Sequence, residues 1–298
     1  MINGIIIIDK EPGFTSHDVV AKMRGICGQK KIGHTGTLDP MATGVLPVCL
    51  GSGTRLCDLL ADRDKEYVAE LLLGVETDTQ DITGRVLTEK PVETDADKVR
   101  AVCESFLGDY EQVPPMYSAL KVDGKKLYEL ARAGKEVERK ARTVKILELE
   151  ILECRLPIVR TRVVCSKGTY IRTLCADIGT KMGCGGTMKS LQRTRAGRFK
   201  LESAMTLGEL QQLKDENRLM EAVLSVDSVF ENCPALHVSV ENQHFLDNGN
   251  SIYPRQTLEN IFYAPGQWIR FYREDGSFGG IYVYDGQKQW YRPVKMFL

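Results

Sequence analysis

The sequence predicts a mixed α/β (α+β) protein, with a large domain over residues 1–230 and a small β-rich domain over 235–298. Three observations lead there. Strand-length apolar runs and helical patterns interleave along the first part with no regular βα repeat, which argues against a doubly wound parallel sheet. After Phe230 the texture changes: Glu231-Asn232-Cys233-Pro234 reads as a linker, and short aromatic-rich strands follow. A chain of 298 residues, 43% hydrophobic and 27% charged, is too apolar for a disordered or fibrous protein and long for one compact core.

Each element has a local reason. Ile5 to Ile8 is a buried-strand run, and Thr15-Ser16 caps a helix through Val19, Val20 and Met23. Val45 to Leu50 reads as a strand, and Thr54 to Ala61 as a helix. Tyr67 to Gly74 and Arg85 to Thr88 read as two strands around a turn at Thr83-Gly84. Thr94 is expected to cap a helix bearing Val99, Val102 and Phe106, closed by Gly108. Val122-Asp123-Gly124-Lys125 signals a tight turn, with a short helix to about Ala133. Leu147, Leu149 and Ile151 alternate with Glu148 and Glu150, a half-buried strand; Arg162 to Cys165 is another, and Tyr170 to Met182 a helix. In the last part, Trp268 to Tyr272 and Ile281 to Tyr284 read as strands, with turns at Asp275-Gly276, Gly279-Gly280 and Asp285-Gly286. A barrel is the economical way for such a domain to leave no open edge.

No stretch approaches the roughly 20 apolar residues that span a bilayer. The start, Met1-Ile2-Asn3-Gly4, lacks the basic residues and cleavage site of a signal peptide. Nine cysteines without a C-x-x-C pair encode neither a disulfide framework nor a zinc cluster. The expectation is a protein of the reducing cytoplasm, with no membrane partner and no metal.

The formal net charge of zero hides an asymmetry. Residues 121–200 hold 20 Lys or Arg against 8 Asp or Glu, a local charge of +12 balanced by −12 over the rest. A neutral chain with one strongly basic third suits a polyanion-binding face, although a solvated charged surface would give the same count.

The richest segment is Gly33-His34-Thr35-Gly36-Thr37-Leu38-Asp39-Pro40-Met41-Ala42-Thr43-Gly44-Val45-Leu46-Pro47. Its three glycines, two prolines and three threonines forbid a regular helix or central strand, while Leu38, Val45 and Leu46 tie it to a core. A rigid loop offering one His and one Asp is a candidate site. Alone, Asp39 before Pro40 reads more readily as an Asx-turn acceptor, and His34 as a structural imidazole.

This loop closely resembles the catalytic motif of the TruB family of tRNA pseudouridine synthases. Further segments match the same family in order: Asp9-Lys10-Glu11-Pro12-Gly13-Phe14-Thr15-Ser16, where Glu11 intervenes between the Lys and Pro that the family often places together; Lys65-Glu66-Tyr67 with Thr77-Asp78-Thr79-Gln80-Asp81; Cys165-Ser166-Lys167-Gly168-Thr169-Tyr170-Ile171-Arg172; and Leu191-Gln192-Arg193. The resemblance spans roughly residues 1 to 215. It implies a catalytic domain around a mixed, mostly antiparallel sheet, a C-terminal PUA-like RNA-binding β-barrel, and isomerisation of uridine to pseudouridine at position 55 in the tRNA T-arm loop. The base must leave C1′, rotate and rejoin through C5, with no net redox change, so no cofactor is expected.

The resemblance also implies the roles. Asp39 is the nucleophile, attacking either C6 or C1′. Arg172 lies close and keeps it charged. Tyr67 stacks on the extruded uracil, Tyr170 and Leu191 wall in the nucleotide, and His34 fills the place that the flipped base leaves. Lys121, Lys125, Lys126, Arg132, Lys135, Arg139, Lys140 and Arg142 fall in a segment that clamps RNA in this family, with Arg193, Arg195, Arg198 and Lys200 nearer the site. The expected partner is tRNA alone, without guide RNA, bound by a monomer. The rival readings are a guide-RNA-dependent relative, a non-catalytic tRNA-binding or folding protein, and a nucleoside glycosidase using Asp39.

Overall fold

The computed structural model describes residues 1–122 and 124–298; of the turn expected over 122–125, Asp123 lies outside the described residues. The chain runs β1 (Gly4–Lys10), α1 (Ser16–Cys27), β2 (Ile32–His34), β3 (Thr43–Leu50), a 3-10 turn into α2 (Cys57–Ala61), β4 (Lys65–Leu73), β5 (Val75–Thr77), β6 (Val86–Glu89), α3 (Ala96–Glu104) and β7 (Gly108–Gln112). Then come β8 (Lys121–Val122), β9 (Lys125–Lys126), α4 (Leu127–Arg132), β10 (Arg142–Arg155), β11 (Ile158–Cys165), α5 (Ile171–Met182), β12 (Gly186–Ala196), β13 (Phe199–Lys200) and α6 (Leu207–Asp215). The last part holds β14 (Ala235–Val238), α7 (Gln243–Asp247), β15 (Trp268–Arg273), β16 (Phe278–Asp285) and β17 (Trp290–Met296).

Nine strands form one sheet, ordered β1-β3-β12-β4-β11-β10-β7, with β2 on β3 and β13 on β12. Its pairs are antiparallel except β3 with β12. The four isoleucines of β1 form a continuous run because both faces are covered. Ile6 and Ile8 pack with Val19, Met23 and Leu210 of α1 and α6, while Ile5 and Ile7 face Val45, Phe199 and Phe230. A third cluster packs β4, β11 and β12 against α3 and α5 and reaches the loop before β3 through Leu38 and Ala42. Each such fully buried Ile or Leu contributes about 1.5–3 kcal/mol relative to exposure.

The β3–β12 junction needs a glycine. Gly44 has φ +100°, and a Cβ there would lie 2.2 Å from the Arg193 carbonyl oxygen.

Several local expectations change. The α3 cap is Asp95, whose carboxylate accepts from Lys98 N at 2.8 Å; Thr94 lies outside it, and α3 ends before Phe106 and Gly108. β6 pairs with β5, so the hairpin partner is a short strand after Gly74 rather than β4. A register shift between Ile146 and Glu148 turns Leu147 outward, 42% exposed, and puts Ile146 inside. Gly279-Gly280 is no turn but part of β16, where a Cβ on Gly279 would lie 2.7 Å from Leu246.

The C-terminal strands make a separate sheet, ordered β14-β15-β16-β17, consistent with a PUA-like domain. It is not closed into a barrel by strand pairing among the described residues. The segment between α7 and β15 covers both edges instead, bridging Ile252 to Tyr291 of β17 and Thr257 to Val238 of β14. The sheet also shares a core with the nine-stranded sheet: Ile281 and Phe297 pack in one cluster with Phe230, Ile5 and Leu56. No helix among the described residues is long and apolar enough to cross a membrane.

Candidate active site

The loop carrying Asp39 is built on buried hydrogen bonds. Lys10, at the end of β1 and fully buried, donates through Nζ to the carbonyls of Ala42 at 2.6 Å, Glu11 at 3.0 Å and Pro40 at 3.2 Å. Leu38 N donates to Ser16 Oγ at 2.9 Å, and Gly13 N to the Pro40 carbonyl at 2.9 Å. Arg193, buried on β12, donates through Nε to Val45 O at 2.7 Å and through Nη2 to Gly36 O at 3.2 Å. These bonds fix backbone that has no regular partner, which a buried loop requires.

Asp39 itself is not an Asx-turn acceptor. Its carboxylate meets Arg172 in a two-point pair, Nε to Oδ2 at 2.9 Å and Nη2 to Oδ1 at 3.3 Å. Arg172 opens α5 and is buried. Its Nη1 donates to Thr79 O at 3.0 Å and Nη2 to Tyr117 O at 2.7 Å, and Nη1 lies 3.7 Å from Asp81 Oδ2. The Arg172 side chain is 5% exposed and that of Asp39 34%, so the arginine is locked while the carboxylate keeps an open face. Burial pushes the Asp39 carboxyl above its usual range; Arg172 pulls it down, and the Asp81 charge pushes it up. The guanidinium is thus the main group that favours the ionised form, with a smaller pull from the Lys10 ammonium.

Asp39 and Arg172 line a cavity of about 350 Å³. Tyr67 of β4, Tyr170 at the start of α5 and Leu191 of β12 line it as well. Tyr170 is held through its backbone: its N donates to Gln112 Oε1 at 2.8 Å, and Gln112 Nε2 donates to its carbonyl at 2.9 Å. Burial raises the phenols of Tyr67 and Tyr170, which keeps them neutral. His34 stands apart, at the end of β2 and outside the cavity lining. Its Nδ1 accepts from Gly36 N at 3.3 Å and its ring meets His17 edge-on at 5.3 Å. Burial, with His17 and Arg193 nearby, lowers its pKa to about 4, so the imidazole is neutral at pH 7.

The basic segment 113–141 is an excursion between the paired strands β7 and β10. It brings Ser118, Ala119 and Leu120 to the cavity and leaves Lys121, Lys125, Arg132, Lys135 and Lys140 exposed, with Lys126 and Arg139 half-buried; Arg142, exposed too, opens β10. Arg193, expected among the RNA-facing cations, is instead buried and spent on backbone carbonyls. Strand β12 shows no apolar alternation in the sequence, because it buries Thr187 and Arg193 where an apolar pattern would stand. Lys65 and Asp81, which the matched segments contain without marking as site residues, are buried at the site as well. Lys65 lies in phase with Tyr67, Ala69, Leu71 and Leu73 on the buried face of β4, so the alternation itself marked a buried lysine. Among the described residues no group of three or more His, Cys, Asp or Glu is placed to hold a metal ion.

Residues 24–171 match the model of the TruB family pseudouridylate synthase N-terminal domain, and 172–231 that of the tRNA pseudouridylate synthase B C-terminal domain. The chain belongs to the TruB family. It is a pseudouridine synthase. The tRNA pseudouridine synthase B of Lachnoclostridium phytofermentans is 51% identical over 308 residues, covering 100% of each chain. That of Alkaliphilus oremlandii is 46% identical over 298 residues, covering 100% of this chain and 99% of the relative. Among solved structures, a chain of an H/ACA ribonucleoprotein bound to a substrate RNA containing 2′-deoxyuridine superposes with TM-score 0.72 at 26% identity, covering 99% of this TruB-family chain and 85% of that one. A chain of an archaeal box H/ACA complex gives 0.71 at 27%, covering 99% and 86%.

Proposed function

We propose that this enzyme isomerises uridine 55 in the T-arm loop of tRNA, without guide RNA or cofactor, in the cytoplasm. Asp39 is the nucleophile. The observation that carries this is the two-point pair with buried Arg172 on a carboxylate that stays partly exposed and lines a cavity walled by Tyr67, Tyr170 and Leu191. Such a cavity takes a base only after extrusion from the stack, at a cost of a few kcal/mol. Tyr67 offers the uracil a flat face, and Tyr170 and Leu191 confine the nucleotide. A neutral His34 outside the cavity suits stacking in the vacated position better than proton transfer. Residues 1–230 carry the chemistry and 235–298 add RNA contacts, and the exposed cations of 113–141 hold phosphates. The protein works as a monomer.

The test is to incubate the enzyme with an unmodified tRNA transcript alone and map pseudouridine by position. Product at position 55 supports the assignment. Free uracil would make it a glycosidase, and binding without product would make it a tRNA-binding protein or one that needs a guide.

A further inference from the structure

Two lysines are buried at this site, and they differ in one respect. Lys10 uses all three N–H donors on loop carbonyls. Lys65, 7% exposed, donates to the carbonyls of Ala61 and Arg63, and its ammonium has no third partner and no carboxylate within ion-pair distance among the described residues. It lines the same cavity as Asp39 and projects from the same face of β4 as Tyr67. A buried, incompletely partnered ammonium costs stability, and a methionine would fill the place without that cost.

The chemistry offers a use for the spare donor. If Asp39 attacks C1′, the N1–C1′ bond breaks and its electron pair leaves on the uracil. If it attacks C6, the pair of the C5–C6 bond moves toward O4. Either way the ring carries negative charge on its carbonyl oxygens, inside a cavity lined by Leu38, Tyr67, Ile171 and Leu191. Arg172 is committed to Asp39, Thr79 and Tyr117, and Arg193 holds Val45 and Gly36. We propose that Lys65 donates a hydrogen bond to a uracil carbonyl oxygen while the ring is negatively charged, making it a catalytic residue of the isomerisation. This rests on Asp39 being the nucleophile. A phosphate contact is less suited to Lys65, because exposed Lys167 and Arg63 stand nearby for that purpose.

Burial, with Arg193 of β12 beside it, lowers the Lys65 ammonium to about 8, against the opposing pull of Cys165 on β11 and of Asp62 and Asp64 after α2. The rate therefore falls as pH rises through about 8, the range to which burial also brings Lys10, so the Lys65→Arg profile is what assigns the decline.

The experiment uses the full chain and a tRNA transcript, with Lys65→Met, Lys65→Arg and Asp39→Asn measured for melting, tRNA affinity and single-turnover rate from pH 6 to 9.5. Lys65→Met is expected to fold, to bind within about 3-fold of wild type and to lose about 10²-fold or more in rate, as for removal of one preorganised donor. Lys65→Arg retains part of the rate and loses the decline above pH 8, since arginine stays charged. A Lys65→Met rate within about 3-fold of wild type, or a loss confined to affinity, overturns the proposal. If Lys65→Met does not fold, the alkaline decline decides: its presence in wild type and absence in Lys65→Arg supports the role, and any other result overturns it. An active Asp39→Asn would overturn the nucleophile reading instead, whatever Lys65 does.

Discussion

The loop 35–42 and the excursion 113–141 face the same cavity and are built in opposite ways. The first is held by Lys10, Ser16, Leu38 and Arg193, all buried, so its carboxylate has one position. The second rests on two strands of two residues each and a six-residue helix, with Pro114, Pro115, Ser118 and Leu127 buried among its described residues, and turns most of its cations to solvent. A reacting atom displaced by 1 Å loses about 10²-fold in rate. Phosphate attraction tolerates movement, because it depends on net charge within a Debye length of about 10 Å. Rigidity is placed where bonds change, and exposed charge where a polyanion must be gathered.

Four measurements would break or sharpen that contrast. The largest effect is expected for Asp39→Asn, which keeps the shape of the group and removes the nucleophile. Pseudouridine formation should fall by more than about 10⁴-fold with tRNA affinity preserved. Tritium release from C5-labelled uridine, melting and binding on one preparation check it, and near-normal release would end the catalytic assignment.

Arg172→Met should be less purely chemical. It strands Asp39 beside Asp81 and leaves Thr79 O and Tyr117 O without their donor, so a stability loss of about 3–5 kcal/mol should accompany inactivation. Urea titration measures the first and a single-turnover assay the second. A variant that stays stable but inactive would show that the pair serves chemistry alone.

Reversing Lys125, Lys126 and Lys140 to Glu probes the other region. Affinity should weaken, and the slope of log K against log salt should lessen by about 0.7–0.9 per lost phosphate contact. The rate at saturating tRNA should hold. A rate loss at saturation would mean that the excursion positions reacting groups after all.

The smallest effect concerns pH. The Asp39 carboxyl sits above its ordinary value, so activity should fall as pH drops through that raised value, where the carboxylate takes a proton. Asp81→Asn removes a charge that raises it, and the acid limb should move to lower pH. The asparagine oxygen can still accept from Thr83 N, which Asp81 Oδ1 does at 3.0 Å, so the local turn should persist. An unmoved limb would mean that another group sets it.

Much of this was legible in the residues. The four isoleucines, the Thr15 cap and the glycine- and proline-rich loop each enforce local structure by sterics or capping, and each is found where local rules put it. The ordered motifs around Asp39, Tyr67, Tyr170, Arg172 and Leu191 marked the segments that line the cavity. What local rules could not supply depends on contacts between residues far apart in the chain. The β10 bulge that turns Leu147 outward is set by its partner strand, and Gly279-Gly280 resembles a turn until Leu246 packs over it. Arg193 looks like an RNA-binding cation in a basic stretch. Only the fold buries it, because a charged side chain leaves solvent when distant backbone carbonyls converge on it, and that convergence is a property of tertiary packing and not of any local pattern.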